Sequence, residues 1–334
     1  MIFQGIDFHN VENLREGEYG FRMCRVPEEI RTQLDERAQE DVCFNATGVE
    51  LRFKMKQDKV TLILHAHPEE EAPTCFIYYG AFQGGWEHSM KAISMGREDT
   101  EIIIPKAPNL KVLKQITQEQ HLGFNPEVVR VILPYGKVDY VGIIGDVEPP
   151  APEDVPSQVL LSYGSSITHG SLGLGTPHSY VFRLSQLMHS DYYNLGFPGC
   201  AHMEEALASY FVSRKDWTVA TVEMGINMLS EEYETELFES RVDRFLEILT
   251  ADSRPVFVTN IFGFCSPGSQ KRAEIFREIV RNAVRRHKRD RLIFTEGLRL
   301  LNQPAYISAD LTHPSLEGQW EIARNWYDII RDTY

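Results

Sequence analysis

The chain has 334 residues, and its 48 acidic and 34 basic side chains leave a formal charge of −14. That balance lacks the basic footprint of a nucleic-acid partner and repels an extended polyanion, so a small neutral ligand is expected. No apolar run approaches the ~20 residues that cross a bilayer. The start MIFQGIDFHN lacks the basic head and apolar core of a secretory signal, and the five scattered cysteines form no C-x-x-C pair. A cytoplasmic protein with reduced thiols and no membrane partner is expected, and a homo-oligomer is open to it.

Short β-branched and aromatic runs dominate the first part of the chain: VELRFKM, KVTLILHAH, TCFIYYGAF, TEIIIP, VVRVILPYG and KVDYVGIIG. FQGGWEH, with Gly84-Gly85, reads as a hairpin turn or bulge. Many strands with almost no helix-length pattern predict an all-β, jelly-roll-like sandwich over residues 1–147. The Pro- and acid-rich VEPPAPEDVPS predicts a linker, residues 148–157.

From residue 158 to 334 the period changes. Strand-like QVLLSY, TVATVEMG, RPVFVTN and RLIFTEG alternate with helical spacing, as in Val181, Leu184, Leu187 and Met188, and in Leu237, Phe238, Val242, Phe245 and Leu249. Alternation of this kind predicts an α/β domain, a flavodoxin-like three-layer α/β/α arrangement around a mostly parallel sheet. Ligands bind outside the carboxyl ends of such strands, where YGSSITHG, EMGIN and TNIFGF fall.

YGSSITHG does not match the G-x-S-x-G elbow, because Thr168 stands where the second Gly would be. Read alone, its serines favour turn residues over an exposed nucleophile. A hydroxyl needs a base, and ADLTHPSLEGQW offers Asp310 and His313 three residues apart ahead of Pro314. The carboxylate can fix the imidazole tautomer, and the alternative is a plain Asx turn into a helix. Oxyanion donors could come from Gly199 in NLGFPGC and from the Asn227 amide in EMGIN.

Together YGSSITHG, NLGFPGCA, EMGIN and DLTHP resemble, in order and placement, the four blocks of the SGNH hydrolases, also called GDSL esterases and lipases. The resemblance runs from about Gln158 to the C-terminus. It implies Ser166 as nucleophile, His313 as general base oriented by Asp310, and an oxyanion hole of the Ser166 N–H, the Gly199 N–H and the Asn227 amide. No metal or organic cofactor is implied. Two positions depart from the family pattern: Ser165 replaces the acid of G-D-S, and Met228 replaces the last acid of G-x-N-D. The β-sandwich ahead of such a domain is also similar to some carbohydrate esterases.

The resemblance implies a serine esterase acting on a small-molecule ester, an acetylated sugar foremost. An acyltransferase with the same triad, or a carbohydrate-binding protein with an inactive hydrolase domain, are the alternatives. Ser165, His169, His178 and Asn260 are expected near the substrate, Asn260 with the 261–268 loop. His65 and His67 share a strand face but lack a third ligand. Cys200 is expected to pack rather than react. Tyr79 and Trp86 are expected in the sandwich core.

Overall fold

The computed structural model describes residues 1–67, 73–84, 93–287 and 290–333. Gly85 and Trp86, and with them part of the expected turn, lie outside the described residues. The first part is two antiparallel sheets. One runs in the order 2–3, 6–9, 50–55, 128–132, 74–79, 82–83, and the other in the order 100–105, 59–67, 137–144, 21–24, 13–16. Alternate residues of both sheets, such as Leu51, Phe53, Leu62, Leu64, Val129, Val131, Val138 and Tyr140, meet in one buried core. Tyr79 is in that core and donates its hydroxyl to the Pro105 carbonyl (2.7 Å).

Two features of this part were not expected from the sequence. Leu110–Gln120 is a helix; none of its residues is buried, so its apolar positions had no core to mark. The segment between strands 21–24 and 50–55 carries short helices Glu28–Arg31 and Glu36–Glu40 and a 3₁₀ turn at Val42–Phe44. Leu34, Ala38, Val42 and Phe44 of that segment pack into the same cluster as Leu161, Tyr163 and Leu195 of the second domain. The division near residue 147 thus separates the sheets but not the cores. The linker is itself pinned, since Asp154 accepts from Asn125 Nδ2 (2.7 Å) and pairs with Lys54 (2.7 Å).

The second part is one parallel sheet in the order 191–196, 159–164, 219–223, 256–259, 292–295. In chain order this is 2-1-3-4-5, the doubly wound pattern expected. Residues alternate across it: Leu161, Tyr163 and Val222 face the helices 205–213, 235–249 and 270–286, whereas Leu160, Val219 and Phe257 face 180–187 and 316–333. Of the predicted stripe on 235–249, Phe238, Val242, Phe245 and Leu249 are buried and Leu237 is exposed. Among the described residues no helix is long and apolar enough to cross a membrane.

Strand 191–196 is an edge, yet its outward carbonyls are all taken by side chains from the first part. His9 Nε2 lies 2.5 Å from Tyr192 O, and Asn10 and Arg25 donate to Asn194 O (3.0 Å each). Arg25 also donates to Gly196 O (3.0 Å) and Val42 O (2.8 Å). Burial pushes the Arg25 guanidinium down to about 10, so it stays charged at neutral pH. An open edge that would otherwise pair with a foreign strand is thereby closed. Beside it, Arg52 of the sandwich makes a bidentate bond to Asp191 (2.6 and 2.7 Å), and Glu50 joins Arg52 (2.8 Å) and Arg130 (2.6 and 2.7 Å), all buried.

Candidate active site

Strand order reverses between 159–164 and 219–223, and the crevice beyond their carboxyl ends is where such a sheet binds ligands. Ser166 opens the short helix Ser166–His169 after the first of these strands, and Asn227 lies in the 3₁₀ turn after the other. Gly199 follows the edge strand. All three line one cleft of about 560 Å³, together with Asp310, Thr312 and His313 from the far loop.

Within it Ser166 Oγ is 2.7 Å from His313 Nε2, and His313 Nδ1 is 2.5 Å from Asp310 Oδ2. The local chain explains this placement. Leu311 adopts a left-handed φ of 66°, Ser308 N–H bonds the His313 carbonyl (2.8 Å), and Ile307 bridges Pro314, which closes a tight loop ahead of helix 316–333. Burial pushes the Asp310 carboxyl upward, but donors overcome it. The Ser308 hydroxyl (2.5 Å), His313, and the backbone N–H groups of Thr312 (2.9 Å) and His313 (3.0 Å) hold it well below the usual carboxylate range. The His313 imidazole is therefore oriented by a carboxylate that stays ionised.

The donor side is equally arranged. Ser166 is the first residue of its helix, where the N–H has no intrahelical acceptor. The Gly199 N–H makes no hydrogen bond among the described residues. Asn227 Oδ1 accepts from Ala201 N–H (3.0 Å), which fixes the amide and leaves Nδ2 as its free end.

The four residues expected near the substrate are not brought to the cleft. Ser165 is buried; its hydroxyl caps Ile167 N–H (3.1 Å) and donates to Glu223 (2.7 and 2.9 Å). His169 is also buried, with Nδ1 3.1 Å from Gly196 O and Nε2 3.0 Å from Asn45 Oδ1, so it ties the turn that carries Ser166 to the first part of the chain. His178 stacks edge-on against Phe76 and bonds Arg183 (2.9 Å). Asn260 is fully buried and spans Glu296, the Arg277 carbonyl and the Gly297 N–H. Turn residues near a site in sequence were here consumed by packing. Of the 261–268 loop, Phe264 and Ser266 do line the cleft. Met228 is buried core, and burial pushes the Cys200 thiol up to about 12, which keeps it protonated and packed.

The missing acid of the G-D-S block has a counterpart on the neighbouring strand. Glu223 accepts from the Ser165 N–H (2.8 Å), the Ser165 hydroxyl and the Thr168 hydroxyl (2.8 Å). Its carboxylate takes the space a side chain at Gly164 would need, since a Cβ there would lie 2.4 Å from Oε2. Burial drives the Glu223 carboxyl upward, against the pull of those donors. A charged residue inside the apolar run TVATVEMG was the sequence signal for it. Because its folded pKa is raised, Glu223 stabilises the fold below about 4.3 and loses that contribution as pH rises through the folded value. Glu223→Gln should therefore gain in Tm relative to wild type between about pH 4 and 7. Glu223→Ala orphans the Ser165 N–H and opens a cavity, and should cost about 3 kcal/mol or more in denaturant unfolding.

One other group could hold a cation: Asp35, His202 and Glu204, whose ligand atoms lie within 4.8 Å of one another behind the Gly199–Ala201 loop. His202 Nδ1 is 3.3 Å from Asp35 and 3.8 Å from Glu204, distances that an ion pair alone accounts for. Two further cleft residues, Arg37 and Tyr135, come from the first part of the chain, where no hydrolase motif pointed to them.

Residues 162–320 match the GDSL-like Lipase/Acylhydrolase family. No curated protein matches the chain. Among solved structures it is similar over nearly its whole length to the salicylyl-acyltransferase SsfX3 from a tetracycline biosynthetic pathway: TM-score 0.76, 14% identity, 98% of this chain and 94% of that one. It is also similar to a family two carbohydrate esterase from Cellvibrio japonicus (TM-score 0.63, 12% identity, 99% and 96%). An acetyl xylan esterase, Est2A, from the rumen bacterium Butyrivibrio proteoclasticus gives TM-score 0.59 at 12% identity over 99% and 96%. At these identities the likeness is one of fold, sandwich included. The domain that carries Ser166, Asn227 and His313 is thus, over residues 162–320, one of the GDSL-like lipase/acylhydrolase family.

Proposed function

We propose that the protein is a serine esterase that removes a short acyl group, acetyl foremost, from a carbohydrate ester. The observation that carries this is the 2.7 Å contact of Ser166 Oγ with His313 Nε2 at the floor of an open cleft. Ser166 attacks the ester carbonyl as its proton passes to His313 Nε2, while Asp310 holds the Nδ1–H and stabilises the imidazolium. The carbonyl oxygen becomes an oxyanion facing the Ser166 and Gly199 N–H groups and the Asn227 amide. His313 then returns the proton to the departing alcohol, which leaves an acyl group on Ser166. A water deprotonated by His313 releases the acid. Hydroxyls of Ser171, Ser230, Ser266, Ser269 and Thr312 around the cleft suit a hydroxylated alcohol.

The test is acetate release from an acetylated oligosaccharide by wild type and by Ser166→Ala. Wild-type release that the variant lacks supports the reading, and release by both or by neither overturns it. An acetylated acceptor alcohol among the products would show transfer instead of hydrolysis. Asn227→Ala should lower kcat about 10²- to 10³-fold with KM little changed, measured on 4-nitrophenyl acetate.

A further inference from the structure

Arg37 is an arginine built into the cleft with nothing to hold. Its helix, Glu36–Glu40, is fixed on three sides. Asp35 caps Ala38 N–H (2.9 Å), Ala38 is buried, and Arg31 donates to the Gln39 carbonyl (2.8 Å). The Asp35–His202 pair (3.3 Å) ties the cap to the loop that follows Gly199. From this support the Arg37 side chain lies directly over Gly199. A Cβ at Gly199 would stand 2.5 Å from Nη1 and 3.2 Å from Cζ, so the guanidinium occupies the place of the side chain that Gly199 lacks. Gly199 also has a left-handed φ of 69°, which keeps it glycine on two counts.

Yet the Arg37 guanidinium makes no hydrogen bond and no ion pair among the described residues. The side chain is exposed, so its donors are open to a ligand in the cleft. Arg22, Arg31, Arg52, Arg214, Arg244, Arg254 and Arg281 all have carboxylate partners. Among the described residues Arg37 is the one Lys or Arg that lines the cleft, and the one acid there, Asp310, is engaged by His313 and Ser308. A planar guanidinium with free donors is matched to a carboxylate.

We propose that Arg37 forms an anion subsite of this cleft, and that the ester processed there carries a carboxylate close to the scissile bond. For a carbohydrate ester that means an acylated sugar acid rather than a neutral sugar. The net charge of the chain had pointed to a neutral ligand, but a local unpaired cation next to the reacting groups outweighs distant charges screened over about 10 Å. This inference rests on the reading of Ser166 as nucleophile.

The test uses matched pairs of esters. 4-Acetoxybenzoate against 4-acetoxybenzamide places the carboxylate on the alcohol side. The 4-nitrophenyl monoester of succinic acid against 4-nitrophenyl butyrate places it on the acyl side. In one pair wild type should show kcat/KM at least about tenfold higher for the anion, chiefly through KM, with the ratio falling as salt is raised. Arg37→Gln should bring that ratio close to one, and Arg37→Lys should keep part of it. A wild-type ratio near one in both pairs, or a ratio that Arg37→Gln leaves unchanged, overturns the subsite. If neutral esters are turned over in a Ser166-dependent way, that failure leaves the esterase reading standing. If wild type turns over none of the four, the esterase reading fails and the subsite with it.

Discussion

Ser166→Ala is expected to lower kcat on 4-nitrophenyl acetate by about 10⁴-fold or more, with KM little changed. The size follows from the concerted use of the triad: once the attacking oxygen is gone, His313 has no proton to accept and the acyl-enzyme cannot form. What survives is oxyanion stabilisation and substrate positioning, worth about 10³- to 10⁴-fold over water in a comparable serine hydrolase. Ser165→Ala is the matched control, because the two serines differ only in where their hydroxyls go. The Ser165 hydroxyl is spent on Glu223 and the Ile167 N–H, so its loss should cost about 1–2 kcal/mol of stability and leave most of the turnover. Kinetics and denaturant unfolding on both variants check the assignment. Abolished turnover in Ser165→Ala with intact turnover in Ser166→Ala would reverse it.

Arg52→Met is expected to destabilise the protein by about 3–5 kcal/mol, because it leaves Asp191 with a buried charge and no bidentate partner. Met fills most of the volume, so the loss is electrostatic rather than a cavity effect. Arg244→Ala, which removes an exposed pair with Glu205 and Glu247, should leave the unfolding midpoint unmoved. The same network fixes an acid limit. Burial would raise Glu50 and Asp191, but Arg130 and Arg52 for the first, and Arg52 and His9 for the second, hold both below the ordinary carboxylate range. Depressed carboxyl pKa values stabilise the fold above about 4 and lose that contribution as pH falls. Wild-type Tm should therefore drop below about pH 4, and in Arg52→Met the drop should be shallower.

The sequence disclosed the sheet of the second domain because each of its strands is an apolar run bounded by turns. It disclosed the blocks around Ser166, Gly199, Asn227 and His313 because Gly, Ser, Asn and Pro in them mark turns. Six strands of the sandwich were legible for the same reason. The strands within residues 2–24 were not: IF, IDFH, NLRE and FRMC are too short to show a period. Nor could spacing reveal that Asn260 and His169 turn inward, since a polar residue after a strand reads alike whether it meets solvent or a buried carbonyl. Glu223 stood inside the EMGIN block, but its relation to Ser165 depends on pairing between neighbouring strands. Arg37 reaches the cleft from a helix too short to show a period, and Tyr135 from the end of VVRVILPYG, where nothing in the run marks it as a cleft residue.

The sealed edge at residues 191–196 has a consequence for how the chain matures. The groups that close it, His9, Asn10, Arg25 and Arg52, are made first, while their partners lie 139 to 184 residues later. A chain emerging from its N-terminus therefore completes most of its sandwich strands with two unmatched guanidiniums, Arg25 and Arg52, and the short helices 28–31 and 36–40 waiting for a sheet not yet synthesised. Joining them closes very long loops, the slowest kind of contact to form. Gly199 acquires Arg37 overhead only in that last step, so this corner of the cleft would be completed after most of the secondary structure is already in place.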